Sequence, residues 1–147
     1  MKKTIGRIDK ADFPELGFKD IDVKVDTGAY TSSIHCTNIR EENDMLICTF
    51  LDPSHPLYDG RELKFEFYDI AAVKSSNGEI QYRYEVQTKI ILFNKQYSIS
   101  LTLSSREDMR FPVLLGRKLL TKKFIVDTEL IDVSYNLKNN ELKNPIS

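Results

Sequence analysis

A chain of 147 residues with 41% apolar side chains is long enough for one domain with a modest core and too apolar to be disordered. Its 21 basic and 22 acidic residues leave a net charge of −1, so no basic face is on offer for nucleic acid. No apolar run follows the basic start Met1-Lys2-Lys3, and the expectation is a cytoplasmic protein with neither leader nor membrane span, its Cys36 and Cys48 reduced.

Residues 4–9 predict a first strand, and Pro14 and Gly17 punctuate a turn behind it. Ile21, Val23 and Val25 then alternate with Asp22 and Lys24, a period of two that marks a strand with one buried face. That strand delivers Asp26 to a turn. Thr27 can bond locally there through its hydroxyl, and Gly28, lacking Cβ, lets backbone N–H groups approach the carboxylate. Residues 33–40 predict the next strand, Glu41 to Asp44 a hairpin turn, and 45–51 its return. The stretch 52–60, with Pro53, Pro56 and Gly60, reads as an exposed loop. Residues 62–68 alternate again, placing Leu63, Phe65 and Phe67 on one side.

Ser75-Ser76-Asn77-Gly78 is the strongest hairpin signal in the chain. Asn-Gly suits a two-residue turn with positive φ at both positions, and long strands flank it at 70–74 and 80–93. Asn94-Lys95 makes another turn, after which Tyr97, Ile99, Leu101 and Leu103 share one strand face. Residues 104–110 read as a loop. Phe111 to Leu120 reads as a short buried strand, a break at Gly116 and one or two helical turns. A late strand follows at 123–128, and from Asn136 the chain is polar and frayed, giving one domain at 1–136 and a tail at 137–147. Many short strands, many turns and one short helix predict an all-β closed barrel.

Asp26-Thr27-Gly28 behind a hydrophobic strand resembles the loop in which aspartic proteases hold a catalytic carboxylate, though an isolated Asp-Thr-Gly is more often an ordinary strand end. No single piece is specific, but the combination is: Phe111-Pro112-Val113-Leu114-Leu115-Gly116-Arg117, then Leu119 and Leu120, follow in the right order and at a barrel's distance. With Thr31, Ser32, His35, Lys74 to Gly78, Leu103, Arg106 and Met109, the chain resembles a bacterial retropepsin-like aspartic peptidase family, formerly labelled ATP-dependent zinc proteases, from about Ile5 to Asp127. The resemblance implies an acid-protease barrel with the 75–78 hairpin as its flap. It implies Asp26 as catalytic carboxylate, Gly28 N–H bonding it and Thr27 locking two loops. Ala29, Ser75, Ser76, Asn77 and Gly78 would touch substrate, and Arg117 and Asp127 would be structural.

Aspartic protease chemistry uses two carboxylates sharing one proton. One Asp-Thr-Gly supplies one carboxylate, so a two-fold homodimer with Asp26 from each chain at the axis is expected. Asp127-Thr128 repeats Asp26-Thr27 behind a valine, but Glu129 stands in the place of Gly28, which argues against a second close loop. Neither His-Glu-x-x-His nor Cys-x-x-Cys occurs, and His35, Cys36, Cys48 and His55 have the spacing of no common zinc site. No cofactor is therefore expected, zinc being the alternative that the old label raises, and no Gly-rich loop marks an ATP site. His35 is more simply a hydrogen-bonded or exposed histidine than a group tuning Asp26.

Lys74, Arg83, Arg106, Arg110 and Arg117 are either scattered surface charge or a basic rim to the cleft, suited to an acidic peptide. The resemblance also implies an association with ATP-grasp ligases that add glutamates to proteins. Expected partners are thus a peptide or protein substrate and such a ligase, with no nucleic acid or membrane. Two departures weaken the glutamyl expectation: Tyr30 stands where relatives usually carry a basic residue, and Lys74 where Arg is usual. The leading expectation is an aspartic endopeptidase acting on acidic or glutamylated peptides. The alternative is a non-catalytic peptide-binding domain partnering an ATP-grasp ligase.

Overall fold

A computed structural model describes residues 1–75, 77–105 and 110–143. The strands are β1 (Lys3–Ile5), β2 (Ile8–Phe13), β3 (Phe18–Val25), β4 (Ser32–Glu42), β5 (Met45–Phe50), β6 (Glu62–Phe65), β7 (Asp69–Lys74), β8 (Ile80–Leu92), β9 (Lys95–Ser104), β10 (Val113–Leu115) and β11 (Phe124–Val126). Two helices join them, α1 (Arg117–Leu120) and α2 (Val133–Lys143). Among the described residues, no helix is long and apolar enough to cross a membrane.

Six strands close a barrel in the order β3, β2, β8, β9, β4, β10 and back to β3. The closing strand, β10, runs parallel to β3 (Val113 beside Val23, Leu115 beside Val25) and antiparallel to β4 (Val113 beside Ile34). Alternation along β3 sends Ile21, Val23 and Val25 inward, where they meet Ile34, Leu101, Val113 and Leu115 in one buried cluster. Beyond the barrel, β4 continues into a β4–β5–β6 sheet, and β7 pairs only with the first half of β8, so the β7–β8 hairpin extends past the closed ring.

The all-β closed barrel agrees with the pattern of short strands, but three local expectations give way. The strand expected at 4–9 is two strands, broken at Gly6, where a Cβ would lie 2.1 Å from the Leu130 carbonyl oxygen. β1 instead pairs with β11 in a separate parallel ladder. Phe67, expected beside Leu63 and Phe65, lies past the end of β6 and is 84% exposed. The single short helix becomes two, because α2 occupies much of the expected frayed tail; residues 144–147 lie outside the described residues.

Long-range polar contacts hold α2. The buried Asp9 carboxylate accepts the Ser134 N–H at 2.9 Å and the Tyr135 N–H at 3.1 Å, which satisfies donors that the first turn of a helix leaves open. Ser134 Oγ accepts the Phe93 N–H, and Lys138 bridges Asp12 and Asp20.

Burial pushes the Asp9 carboxyl up, and the N–H bonds from Ser134, Lys10 and Tyr135 only partly offset it. Between the ordinary carboxyl value and this raised one, the native state binds more protons than the unfolded chain. This group's contribution therefore favours folding at the acid end and is lost as pH rises through the raised value. Urea unfolding of wild type and Asp9→Asn across acid to neutral pH should show the wild-type advantage shrinking with rising pH. The variant itself should cost about 1–3 kcal/mol, since an amide accepts fewer of these N–H groups than a carboxylate.

Candidate active site

Strand β3 ends at Val25, and the next residue is fixed from both sides. The Asp26 N–H donates to the Leu115 carbonyl at 2.9 Å, which ties the strand end to β10. Asp26 Oδ1 accepts the Gly28 N–H at 3.1 Å, and the Ala29 N–H returns to the Asp26 carbonyl at 3.2 Å. Gly28 is not at positive φ. Its glycine is a matter of room, since a Cβ would sit 3.3 Å from Asp26 Oδ1.

A second segment clamps the far side of this turn. The Arg117 N–H donates to the Ala29 carbonyl and the Lys118 N–H to the Tyr30 carbonyl, both at 2.9 Å. The Gly116 N–H donates to Ser32 Oγ at 3.0 Å. The Arg117 side chain reaches back, its Nη1 donating to the Thr27 carbonyl at 3.0 Å and its guanidinium lying 5.9 Å from the Tyr30 ring centroid. The apolar run 113–115, the Gly116 break and α1 thus act as one brace on residues 27–32.

Asp26 opens into a groove of about 760 Å³ whose other wall is the β7–β8 hairpin. Asp26, Gly28, Ala29, Ser75, Arg83 and Arg117 line it, and so does Lys74. Among the described residues, three cations and one carboxylate line the groove. In the β7–β8 register, Ala71 lies opposite Arg83 and Val73 opposite Gln81, so these pairs share one face of the hairpin. Val73, Gln81 and Arg83 all line the groove.

Several expected site residues lie elsewhere. Thr27 is exposed at the turn, and its hydroxyl has no hydrogen bond among the described residues. Asn77 and Gly78 form the exposed hairpin tip and do not line the groove, while Ser76 and Arg106 lie outside the described residues. Arg110 is exposed and away from the groove. His35 is buried on β4, its Nε2 3.0 Å from Asp52 Oδ2 and its Nδ1 without a partner among the described residues. It does not line the Asp26 groove. His55 turns Nδ1 to the Leu57 N–H, and burial lowers its pKa. Burial, reinforced by contact with Cys48, pushes the Cys36 thiol well up. No three His, Cys, Asp or Glu side chains among the described residues converge as metal ligands.

The hairpin tip departs from a two-residue Asn-Gly turn. The Ser75 N–H donates to the Glu79 carbonyl and the Gly78 N–H to the Ser75 carbonyl, with positive φ at Gly78 and not at Asn77. That geometry is a longer loop closed by a left-handed glycine. Asn77 Oδ1 instead accepts the Glu79 N–H and meets Ser75 Oγ, stiffening the tip from within.

The expectation against a second close loop also fails. The Glu129 N–H donates to Asp127 Oδ1 at 3.0 Å, the bond that Gly28 makes to Asp26, and Arg7 Nη1 donates to the Thr128 carbonyl as Arg117 does to that of Thr27. Each Asp-Thr follows a valine at the end of a parallel pair, and each Gly-Arg follows the partner strand. Such a turn needs only the N–H two residues on, which any residue but proline supplies. Asp127 lies outside the Asp26 groove.

Comparison with known proteins agrees with this geometry. A family model described as the retropepsin-like aspartic endopeptidase RimB matches residues 4–135. A probable alpha-L-glutamate ligase of Shewanella halifaxensis (strain HAW-EB4) is 37% identical over 133 residues, covering 86% of this chain and 28% of that protein. One of Desulfotalea psychrophila (strain LSv54 / DSM 12343) is 36% identical over 135 residues, covering 88% and 29%. The chain thus spans less than a third of the length of these curated relatives. The crystal structure of a Legionella pneumophila protein of unknown function superposes with a TM-score of 0.71 at 26% identity, over 91% of this chain and 99% of that one. A barrel closed by β10, an Asp-Thr-Gly turn braced by Gly-Arg and a match over residues 4–135 place this chain in the RimB-like family of retropepsin-like proteins.

Proposed function

We propose that the chain is an aspartic-type endopeptidase that acts as a two-fold homodimer, each copy giving Asp26 to a shared pair. The observation that carries this is the setting of Asp26: a carboxylate held by the Gly28 N–H, in a groove of about 760 Å³ walled by a β-hairpin. In the dimer one carboxylate takes a proton from a water while the other gives its proton to the peptide carbonyl oxygen. The water oxygen bonds to the carbonyl carbon. The C–N bond then breaks as the leaving nitrogen takes a proton from one carboxyl, and a hydroxyl of the diol gives its proton to the other carboxylate, which re-forms the C=O and restores the pair. In the dimer the exposed Thr27 hydroxyls would lock the two turns together, and hairpin closure would exclude water. Lys74 and Arg117 beside Asp26 support acidic or glutamylated peptides as substrates.

A second reading has its own support. The curated relatives named glutamate ligases match this chain over less than a third of their length. On this reading the chain is a non-catalytic peptide-binding domain that partners an ATP-grasp ligase. Hydrolysis of a peptide library containing glutamate-rich members, by wild type and Asp26→Asn from acid to neutral pH, separates the two. Cleavage by wild type alone supports the peptidase. Cleavage that survives in the variant overturns the role of Asp26. Peptide binding by both proteins without cleavage favours the binding domain.

A further inference from the structure

Among the described residues three cations line the groove, but they ride on different parts of the fold. Lys74 and Arg83 sit on the β7–β8 hairpin, whereas Arg117 opens α1 on the wall that carries Asp26. Arg117 is fixed to that wall twice: its own N–H donates to the Ala29 carbonyl, and its Nη1 to the Thr27 carbonyl beside Asp26. The Tyr30 ring, 58% exposed, lies 5.9 Å from the guanidinium. Among the described residues no carboxylate pairs with Arg117, and Arg117 lines the groove.

A guanidinium has five donors in a planar fork. Here one donor is spent on Thr27 and one face is screened by an aromatic ring. The free edge matches the two oxygens of a carboxylate, and the screened face lowers the water competition that weakens exposed ion pairs. Tyr30, which stands where relatives usually carry a basic residue, lies against Arg117 instead.

The geometry points to the Tyr30–Arg117 pair as the receptor for an acidic side chain of the substrate next to the scissile bond. It rests on the peptidase reading for the words "scissile bond", but not for the contact itself. Tyr30 acts here as a positioning residue, and Arg117 touches the substrate. Because Arg117 also holds the Thr27 carbonyl, a bound carboxylate restrains the turn that presents Asp26.

The test uses paired octapeptides that differ only in glutamate or glutamine at the positions flanking cleavage, with wild type, Arg117→Lys, Tyr30→Leu and Tyr30→Phe. Wild type should favour the glutamate peptide by about tenfold or more in kcat/KM, the scale of one bidentate charge-assisted contact. Arg117→Lys, which keeps charge but loses the fork, should bring that ratio below about threefold, mainly through the KM of the glutamate peptide. Tyr30→Leu should lower the ratio in the same direction, and Tyr30→Phe should restore it. A wild-type ratio in both Arg117→Lys and Tyr30→Leu overturns the inference, and so does an equal loss on both peptides. If no variant cleaves, affinities of the same peptides for Asp26→Asn and for Asp26→Asn/Arg117→Lys decide it. A selective loss of glutamate-peptide binding in the double variant sustains the receptor while the peptidase reading falls. Equal affinities in the two proteins overturn the receptor.

Discussion

Asp26→Asn should lower kcat/KM by on the order of 10³–10⁴-fold, the scale of removing a positioned general acid–base group, with the fold unchanged. The amide cannot take up or hand on a proton, while its oxygen can still accept the Gly28 N–H, so the turn keeps its bond. Thermal unfolding should therefore move by no more than a degree or two. A shared pair makes two further demands. Activity should fall on dilution through the dimer equilibrium, and mixing wild type with an equal amount of the variant should leave only about a quarter of the dimers with two intact carboxylates. The rate should also pass through a maximum with pH, because the pair works only while it holds one proton. A linear fall in activity with the wild-type fraction would show that one Asp26 suffices and would end the shared-pair reading.

How far such expectations reach back to the sequence depends on whether the contact is local. β3 and the Asp26 turn were legible because both sides of the argument, alternation and the glycine two residues on, lie within eight residues. α2 was not, since its first turn is satisfied by Asp9, 125 positions earlier, and its own residues carry no apolar stripe. Turn chemistry misled in an instructive way. The Asn-Gly pair lies in a longer loop, whereas the two-residue turns with both φ positive are Asn43-Asp44 and Phe93-Asn94. Phenylalanine is a poor left-handed residue. Phe93 is held there because its ring packs against Phe124 and its N–H meets Ser134 Oγ, which is tertiary override of a local rule. The groove was half visible: Lys74, Arg83 and Arg117 could be named, but only the folded β7–β8 hairpin and the α1 brace set them around the groove that Asp26 lines.

Gly116→Ala should be the small substitution most damaging to the Asp26 turn, and the reason is contact rather than backbone preference. Gly116 has φ −96° and ψ 176°, an extended conformation that alanine adopts without strain. A Cβ at that position, however, would lie 2.6 Å from both the Tyr30 and the Thr31 carbonyl oxygens. Backbone must move, and what it carries apart are the bonds from Gly116 to Ser32, Arg117 to Ala29 and Lys118 to Tyr30. At about 0.5–1.5 kcal/mol each, losing them costs roughly 2–4 kcal/mol, and the brace on the Asp26 turn goes with them. Two other glycines serve as controls with different physics. Gly78 has open space around its missing Cβ but φ of +88°, so Gly78→Ala should cost about 1 kcal/mol through backbone strain and leave the Asp26 turn alone. Gly28→Ala needs a shift of a few tenths of an ångström between Cβ and Asp26 Oδ1, so it should spare stability and depress turnover. Urea unfolding and peptide hydrolysis on the three variants give the decisive pattern. Gly116→Ala must lose both stability and activity, Gly28→Ala chiefly activity and Gly78→Ala chiefly stability. If Gly116→Ala unfolds like wild type, β10 and α1 are free to move against the turn, and the brace is not what holds Asp26 in place.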